Sequence, residues 1–405
     1  MNRDVSCLFQ PLDLPCGAVL ANRLAKAAMS DSLGDGHGNP SSAQMRLYER
    51  WAEGGVGLSI IGEVQGNPNF AEKPGNLVLA DEYDANAFRS LAERGQSEKT
   101  QLWLQLGHAG AMTFPPIGTP KGPSVLDIPE LKSAALTACE IAALPGAFAR
   151  TAQLGRDLGF GGVEIHAAHG FLLSQFLSPL FNLREDAYGG PIKNRMRLLL
   201  EVIEAVRGAV GPSFPIGVKL NATDQLEGGL VPNDALHVVR ALDETSIDLI
   251  DISGGTYFPG AASASDAVGQ DVYFLEFARA ARERTRLPLM VTGGFKRREQ
   301  AIEAIASGGA DVVGLARSLA LDPDLPRRWG TDAFESQGDI SFPRFNAPPE
   351  GGITAWYSMR LTEIGEDRDP GQPDLDAAIE TYEARDRARI KLWNAHFGAL
   401  RSAGS

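Results

Sequence analysis

The sequence has little cysteine. Cys7, Cys16 and Cys139 are all it holds in 405 residues, and they form no CxxC pair and no disulfide framework. No apolar run approaches the ~18 residues of a membrane-spanning helix. The stretch MNRDVSC carries no apolar signal region, and a cytoplasmic, reduced protein is the expectation. Positive charge is in deficit, with a formal net charge of −13. That balance argues against nucleic acid or an anionic membrane as partner. An anionic cofactor stays compatible with it, because local amides and one or two cations suffice to hold a phosphate. A Rossmann fingerprint is missing: GDGHG at 34–38 lacks the GxGxxG spacing and reads as a plain turn. No repeat period of roughly 20–50 residues occurs.

Against these absences stands a regular alternation. Short apolar runs fall at 24–29, 57–62, 101–106, 162–166, 215–220, 247–252, 288–293 and 311–316. Helical patterns separate them, near 41–54, 84–98, 140–158, 192–209, 232–244, 271–286 and 296–308. Strands that alternate with helices make a parallel sheet, and a count of eight favours a closed (β/α)8 TIM barrel. Residues 8–22 suggest a hairpin capping the barrel bottom, and 107–137 are too long for an ordinary βα loop. The expected division is a barrel over 1–330 and a C-terminal extension over 331–405, with a helix at ITAWYSMRLTEIG and an amphipathic terminal helix. That last helix is expected to be charge-rich and solvated, packed on one side. The extension is expected to be an appendage on the barrel, not a second catalytic domain.

In such a barrel the chemistry sits at the C-terminal ends of the strands. The eight strands end in Met29-Ser30, Glu63, Gln105 with His108, His166 with His169, Lys219 with Asn221, Ser253-Gly254-Gly255, Gly293-Gly294 and Ala316-Arg317. The last two pairs stand where this fold often binds phosphate: glycines let backbone N–H groups approach, and Arg317 adds a charged fork. A zinc site at His166 and His169 is disfavoured, since zinc needs three or four ligands and the rim offers no cysteine. No metal is expected. Glu63 is kept outside the catalytic set.

PLDL…LANRLAKAAMSD, QLWLQLGHAG, EIHAAHGFLLSQFLSPLFNLREDAYGG…NR, GVKLN, VTGGF and ADVVGLARSLALDP span 8 to about 325. In order and rim position they resemble the Old Yellow Enzyme family, the FMN-dependent ene-reductases. The resemblance implies FMN, with NADPH or NADH as reductant and a small-molecule substrate bearing an activated C=C bond. It implies that Ala27, Ala28, Met29 and Val64 pack on the flavin. Ser30, where the family commonly has Thr or Cys, and Gln105 would hydrogen-bond it. Lys219, where the family often has Arg, would sit near its N1 and O2. Gly293, Gly294, Ala316 and Arg317 would hold the FMN phosphate. His166 and His169 would donate to the substrate carbonyl oxygen. One position departs. Phe171 stands where the family usually has the proton-donating Tyr, so the proton comes from solvent or from another side chain, with Tyr257 a candidate on rim position alone. Two rival readings remain at this level, a flavin-dependent N-demethylase and a flavin-binding redox sensor without turnover. A homodimer is an open expectation.

Overall fold

The computed structural model describes residues 4–261, 272–331, 338–346, 348–349, 351–368, 371 and 373–403. Eight parallel strands form a closed ring: β1 (Leu24–Lys26), β2 (Leu58–Gln65), β3 (Gln101–Gly107), β4 (Gly162–Ala167), β5 (Ile216–Asn221), β6 (Leu249–Ser253), β7 (Leu289–Thr292) and β8 (Val312–Leu315). Each pairs with its neighbour in sequence, and β1 closes the ring by pairing with both β8 and β2. The strands are buried along nearly their whole length. That is why they read as near-continuous apolar runs with no polar alternation.

Helices α1 (Ser42–Glu53), α2 (Ala85–Gly95), α3 (Ala138–Asp157), α4 (Arg197–Val210), α5 (Pro232–Asp243), α6 (Leu275–Arg282), α7 (Arg298–Ala306) and α8 (Arg317–Leu321) return the chain between strands and after the last one. Their starts are set chemically. Ser41 caps α1 by accepting from Gln44 N, and Thr137 with Glu140 forms a reciprocal capping box on α3. At the barrel bottom, Leu12–Asp13 and Val19–Leu20 pair antiparallel. Leu14 and Leu20 of this hairpin join Leu58, Trp103, Leu249, Met290 and Val312 in one apolar plug. The long segment after β3 holds a small sheet of Lys121–Gly122, Leu126–Ile128 and Leu131–Ala135. GDGHG is a turn, its Asp35 carboxylate accepting from the N–H groups of His37 and Asn39.

The extension contributes α9 (Gly352–Gly365) and α10 (Leu375–Ala403). Helix α9 is buried from Ala355 through Gly365. A Cβ on Gly365 would stand 2.3 Å from the Ala43 carbonyl oxygen, so only glycine allows this approach to α1. Helix α10 is anchored by Trp393 and Phe397, which pack with Ala71, Val78 and Ile117 beside the β2 and β3 loops. Arg389 donates to the Ser32 carbonyl, and Asn394 Nδ2 donates to the Pro116 carbonyl at 2.9 Å. Both helices therefore lie over the C-terminal rim of the barrel.

Candidate active site

The strand ends open into a cavity of about 860 Å³. Its floor is a buried polar network. Gln105 Nε2 donates to Glu164 Oε1 at 2.6 Å, Lys219 Nζ pairs with the Asp251 carboxylate, and Thr292 Oγ1 donates to Asp251 Oδ1 at 2.7 Å. Burial works against charge on Lys219, but Asp251 and Glu164 outweigh it and hold the ammonium above its ordinary value. Burial pushes the Glu164 carboxyl up to about 8, against the pull of Lys219. A cation fixed between two acids thus lies under the cavity, as its place at the end of β5 requires.

The histidine pair forms one wall. His166 ends β4, and the chain then turns through His169 (φ 62°) and Gly170 (φ 81°), both left-handed. That turn swings His169 back to His166, with Nε2 of His166 and Nδ1 of His169 3.1 Å apart. His169 Nε2 lies 2.9 Å from Ser253 Oγ, and its backbone N–H donates to Asn221 Oδ1 at 3.1 Å. Desolvation, then the neighbouring imidazole and Lys219, drives His166 well below the ordinary value. Desolvation and Lys219 bring His169 down to about 3. Both rings are neutral near pH 7. The Nδ1 of His166 is buried with no partner among the described residues.

Phe171 packs on His166 with ring centroids 5.0 Å apart, and Tyr257 packs on Phe171 at 5.7 Å. Tyr257 is 63 % exposed and faces the open cavity. Desolvation and the acids Glu72 and Glu63 raise its phenol.

The other expected positions divide. Ala28, Met29, Ser30, Gln105, Lys219, Ala316 and Arg317 line the cavity. Gly293 (φ 119°) and Gly294 (φ 86°) follow β7 just behind Thr292, which lines it. Ala27 does not line the wall: it is fully buried in the plug beneath. Val64 also lies in the core, paired with Leu77 and Leu106. The cause is a register shift between Ile61 and Val64 with Glu63 at φ 62°, which turns the glutamate to the cavity instead. His108 serves the loop after β3: it accepts from Gly110 N at 3.0 Å and stacks on Phe70 at 4.1 Å. Terminal helix α10 is not merely solvated, since Ile379, Tyr382, Glu383, Asp386, Arg387 and Ile390 line the cavity. From α9, Tyr357, Ser358 and Leu361 do so as well.

These residues fit FMN. Paired glycines with positive φ and Arg317 suit a phosphate, Gln105 and Lys219 suit a polar ring edge, and His166 keeps an unpartnered buried nitrogen. A family model described as "NADH:flavin oxidoreductase / NADH oxidase family" matches residues 7–333. The chain belongs to this family. It is 32 % identical over 385 residues to the NADH-dependent flavin oxidoreductase iliE of Hypocrea jecorina (strain QM6a), with 85 % of this chain and 95 % of that one covered. The protein of the same name from Neonectria sp. (strain DH2) is 35 % identical over 356 residues, covering 78 % of this chain. Here the chain spans about half, 46 %, of the relative's length. The NADPH dehydrogenase of Bacillus licheniformis is 34 % identical over 327 residues, covering 79 % of this chain and 93 % of that one. Among solved structures, morphinone reductase matches with a TM-score of 0.69 at 25 % identity, covering 82 % of this chain and 91 % of that one. The old yellow enzyme homologue from Zymomonas mobilis shares the fold, with a TM-score of 0.71 at 23 % identity over 85 % of this chain and 98 % of that one.

The flavoprotein is thus an FMN-dependent oxidoreductase of the Old Yellow Enzyme family that draws on NADH or NADPH. No described helix is long and apolar enough to cross a membrane. Among the described residues, no cluster of three or more His, Cys, Asp or Glu could hold a metal ion.

Proposed function

We propose that this oxidoreductase reduces activated C=C bonds of α,β-unsaturated carbonyl compounds. The observation that carries the reading is the neutral His166–His169 pair on the cavity wall, one buried nitrogen of which is unpartnered. FMN, when bound, supplies the hydride taken from NADH or NADPH. The substrate's carbonyl oxygen then gains negative charge, and donors placed before that charge appears stabilise it most. Neutral imidazoles suit this task because they donate without giving up the proton. The 2.9 Å contact of Ser253 Oγ with His169 Nε2 can run either way; in the tautomer that has Ser253 as donor, the His169 proton is on Nδ1, toward His166. A carbonyl oxygen entering the pair accepts that N–H together with one from His166. Arg317 and the glycine amides would hold the phosphate, and Lys219, locked by Asp251, would present a fixed cation to the polar ring edge. Phe171 has no proton to give, so the α-carbon proton comes from Tyr257 or from solvent.

The test is anaerobic. The protein is reduced with NADPH and mixed with cyclohexenone in a stopped-flow instrument. Reoxidation with formation of cyclohexanone supports the reading. Reduction by NADPH without any reoxidation by enones, nitro compounds or N-methylated compounds contradicts it.

A further inference from the structure

We propose that Glu63 and Glu72 form an acidic subsite in the wall of this cavity that binds a cationic nitrogen of the small-molecule substrate. The inference deepens the proposed function and depends on it for the location of the substrate.

Three observations carry it. Glu63 is only 7 % exposed, lines the cavity, and leaves Oε2 without a hydrogen-bond partner among the described residues. A buried carboxyl oxygen with nothing to accept is costly, so a donor that fills it is favoured. Glu72 lines the same cavity as Glu63. Desolvation, then the charge of Glu72, raises the Glu63 carboxyl well above its ordinary value. A cation that enters between them offsets the repulsion of the two acids. The nearest lysine in sequence, Lys73, does not fill the site: its Nζ lies over the rings of Phe114 and Tyr382, at 5.2 and 6.0 Å.

The chemistry selects a class. An ammonium or alkylammonium head supplies the missing positive charge. A carboxylate or phosphate would face two acids and is disfavoured. A purely apolar head would leave Glu63 as unpartnered as before.

The experiment is calorimetric, on the FMN-loaded protein at neutral pH. Benzylammonium is compared with ethylbenzene, its uncharged isostere, and with phenylacetate. The expected result is a preference for the cation of about tenfold or more, the scale of one interaction with a charged partner. Glu63→Gln with Glu72→Gln together should reduce that preference to less than about threefold. Each single substitution should fall between, and Glu72→Gln, at the less buried position, carries the test if the other variants do not fold. Equal binding of cation and isostere by the wild type overturns the proposal, and so does an unchanged preference in the variants. Binding of a para-substituted phenol by the wild type is measured in parallel. Phenol binding without cation preference removes this subsite alone, whereas loss of both removes the substrate site itself.

Discussion

The floor and the roof of the cavity are built by different physics. The floor comes from strand ends a few ångströms apart, and its polar groups are spent on each other: Gln105 on Glu164, Lys219 and Thr292 on Asp251. The roof comes from α9 and α10, hundreds of residues later in the chain, and it shows Asp386 to the cavity together with Glu383 and Arg387, whose mutual ion pair at 3.2 Å is exposed to solvent where the floor's pairs are buried. A buried floor whose side chains hold one another, with only Glu164 Oε2 left unpartnered among those named, keeps one arrangement, which suits a bound cofactor. A roof whose helix is held to α9 by Arg385 on Thr362 and to the rim by Arg389 on Ser32 can vary in its exposed long side chains while the chemistry beneath it stays fixed.

The sharpest way to break this comparison is to release the roof. Trp393 is fully buried beside Phe397, with ring centroids 4.6 Å apart. Trp393→Ala should cost about 3–5 kcal/mol locally. Hydrogen exchange should rise across α10, while β3 to β7 stay protected and FMN is retained. Loss of FMN in that variant would mean that roof and floor are one unit. Next in size are the histidines. His169→Ala should slow enone reduction by about 10²–10³-fold, leaving flavin reduction by NADPH less affected. Equal slowing of both half-reactions would contradict an oxyanion role.

Tyr257→Phe sharpens the picture at smaller scale. If Tyr257 is the proton donor, the oxidative half-reaction should fall about tenfold or more. An unchanged rate assigns the proton to solvent, and Phe171→Tyr should then raise it.

The smallest effect is on stability with pH, and it too separates the groups. His108 and His169 are held down at about 3 and His166 lower than its ordinary 6.5, so the unfolded chain binds more protons than the folded one below pH 6.5. Stability therefore falls as pH drops through that window. Glu164 is raised from 4.5 to about 8, so the folded chain holds the extra proton and stability falls as pH rises between those values. With three histidines against one carboxyl the rise dominates up to about pH 6.5, so the melting temperature should peak near pH 6.5, at the upper end of the window where the two trends oppose. Lys26, lowered to about 7 by burial, acts in the opposite sense above that pH, so the Glu164 share is read from Glu164→Gln: a profile between pH 6.5 and 8 unchanged in that variant would show that Glu164 is not held protonated.

The contrast also explains what the sequence could tell. Parallel strands buried on both faces leave apolar runs of constant length, and the residue after each run must lie at the rim. His166, His169, Gln105, Lys219 and Arg317 were legible for that reason. Val64 and Glu63 exchanged roles because a bulge breaks the two-residue alternation, and a bulge leaves no periodic mark. The cavity-facing residues of α10 were illegible because charged positions look solvated in any helix. What turns them inward is contact with residues over three hundred positions away, as between Arg389 and Ser32. Phe171 could be recognised as a departure, but its packing between His166 and Tyr257 needed the fold.

The central claim is that His166 and His169 form an anion-stabilising site above a flavin. Titration with a para-substituted phenol tests it most directly. The account predicts a long-wavelength charge-transfer band in the wild type, and weaker phenol binding by about tenfold or more in His166→Ala with FMN still bound. Equal binding by both proteins, or no band in the FMN-loaded wild type, would contradict it.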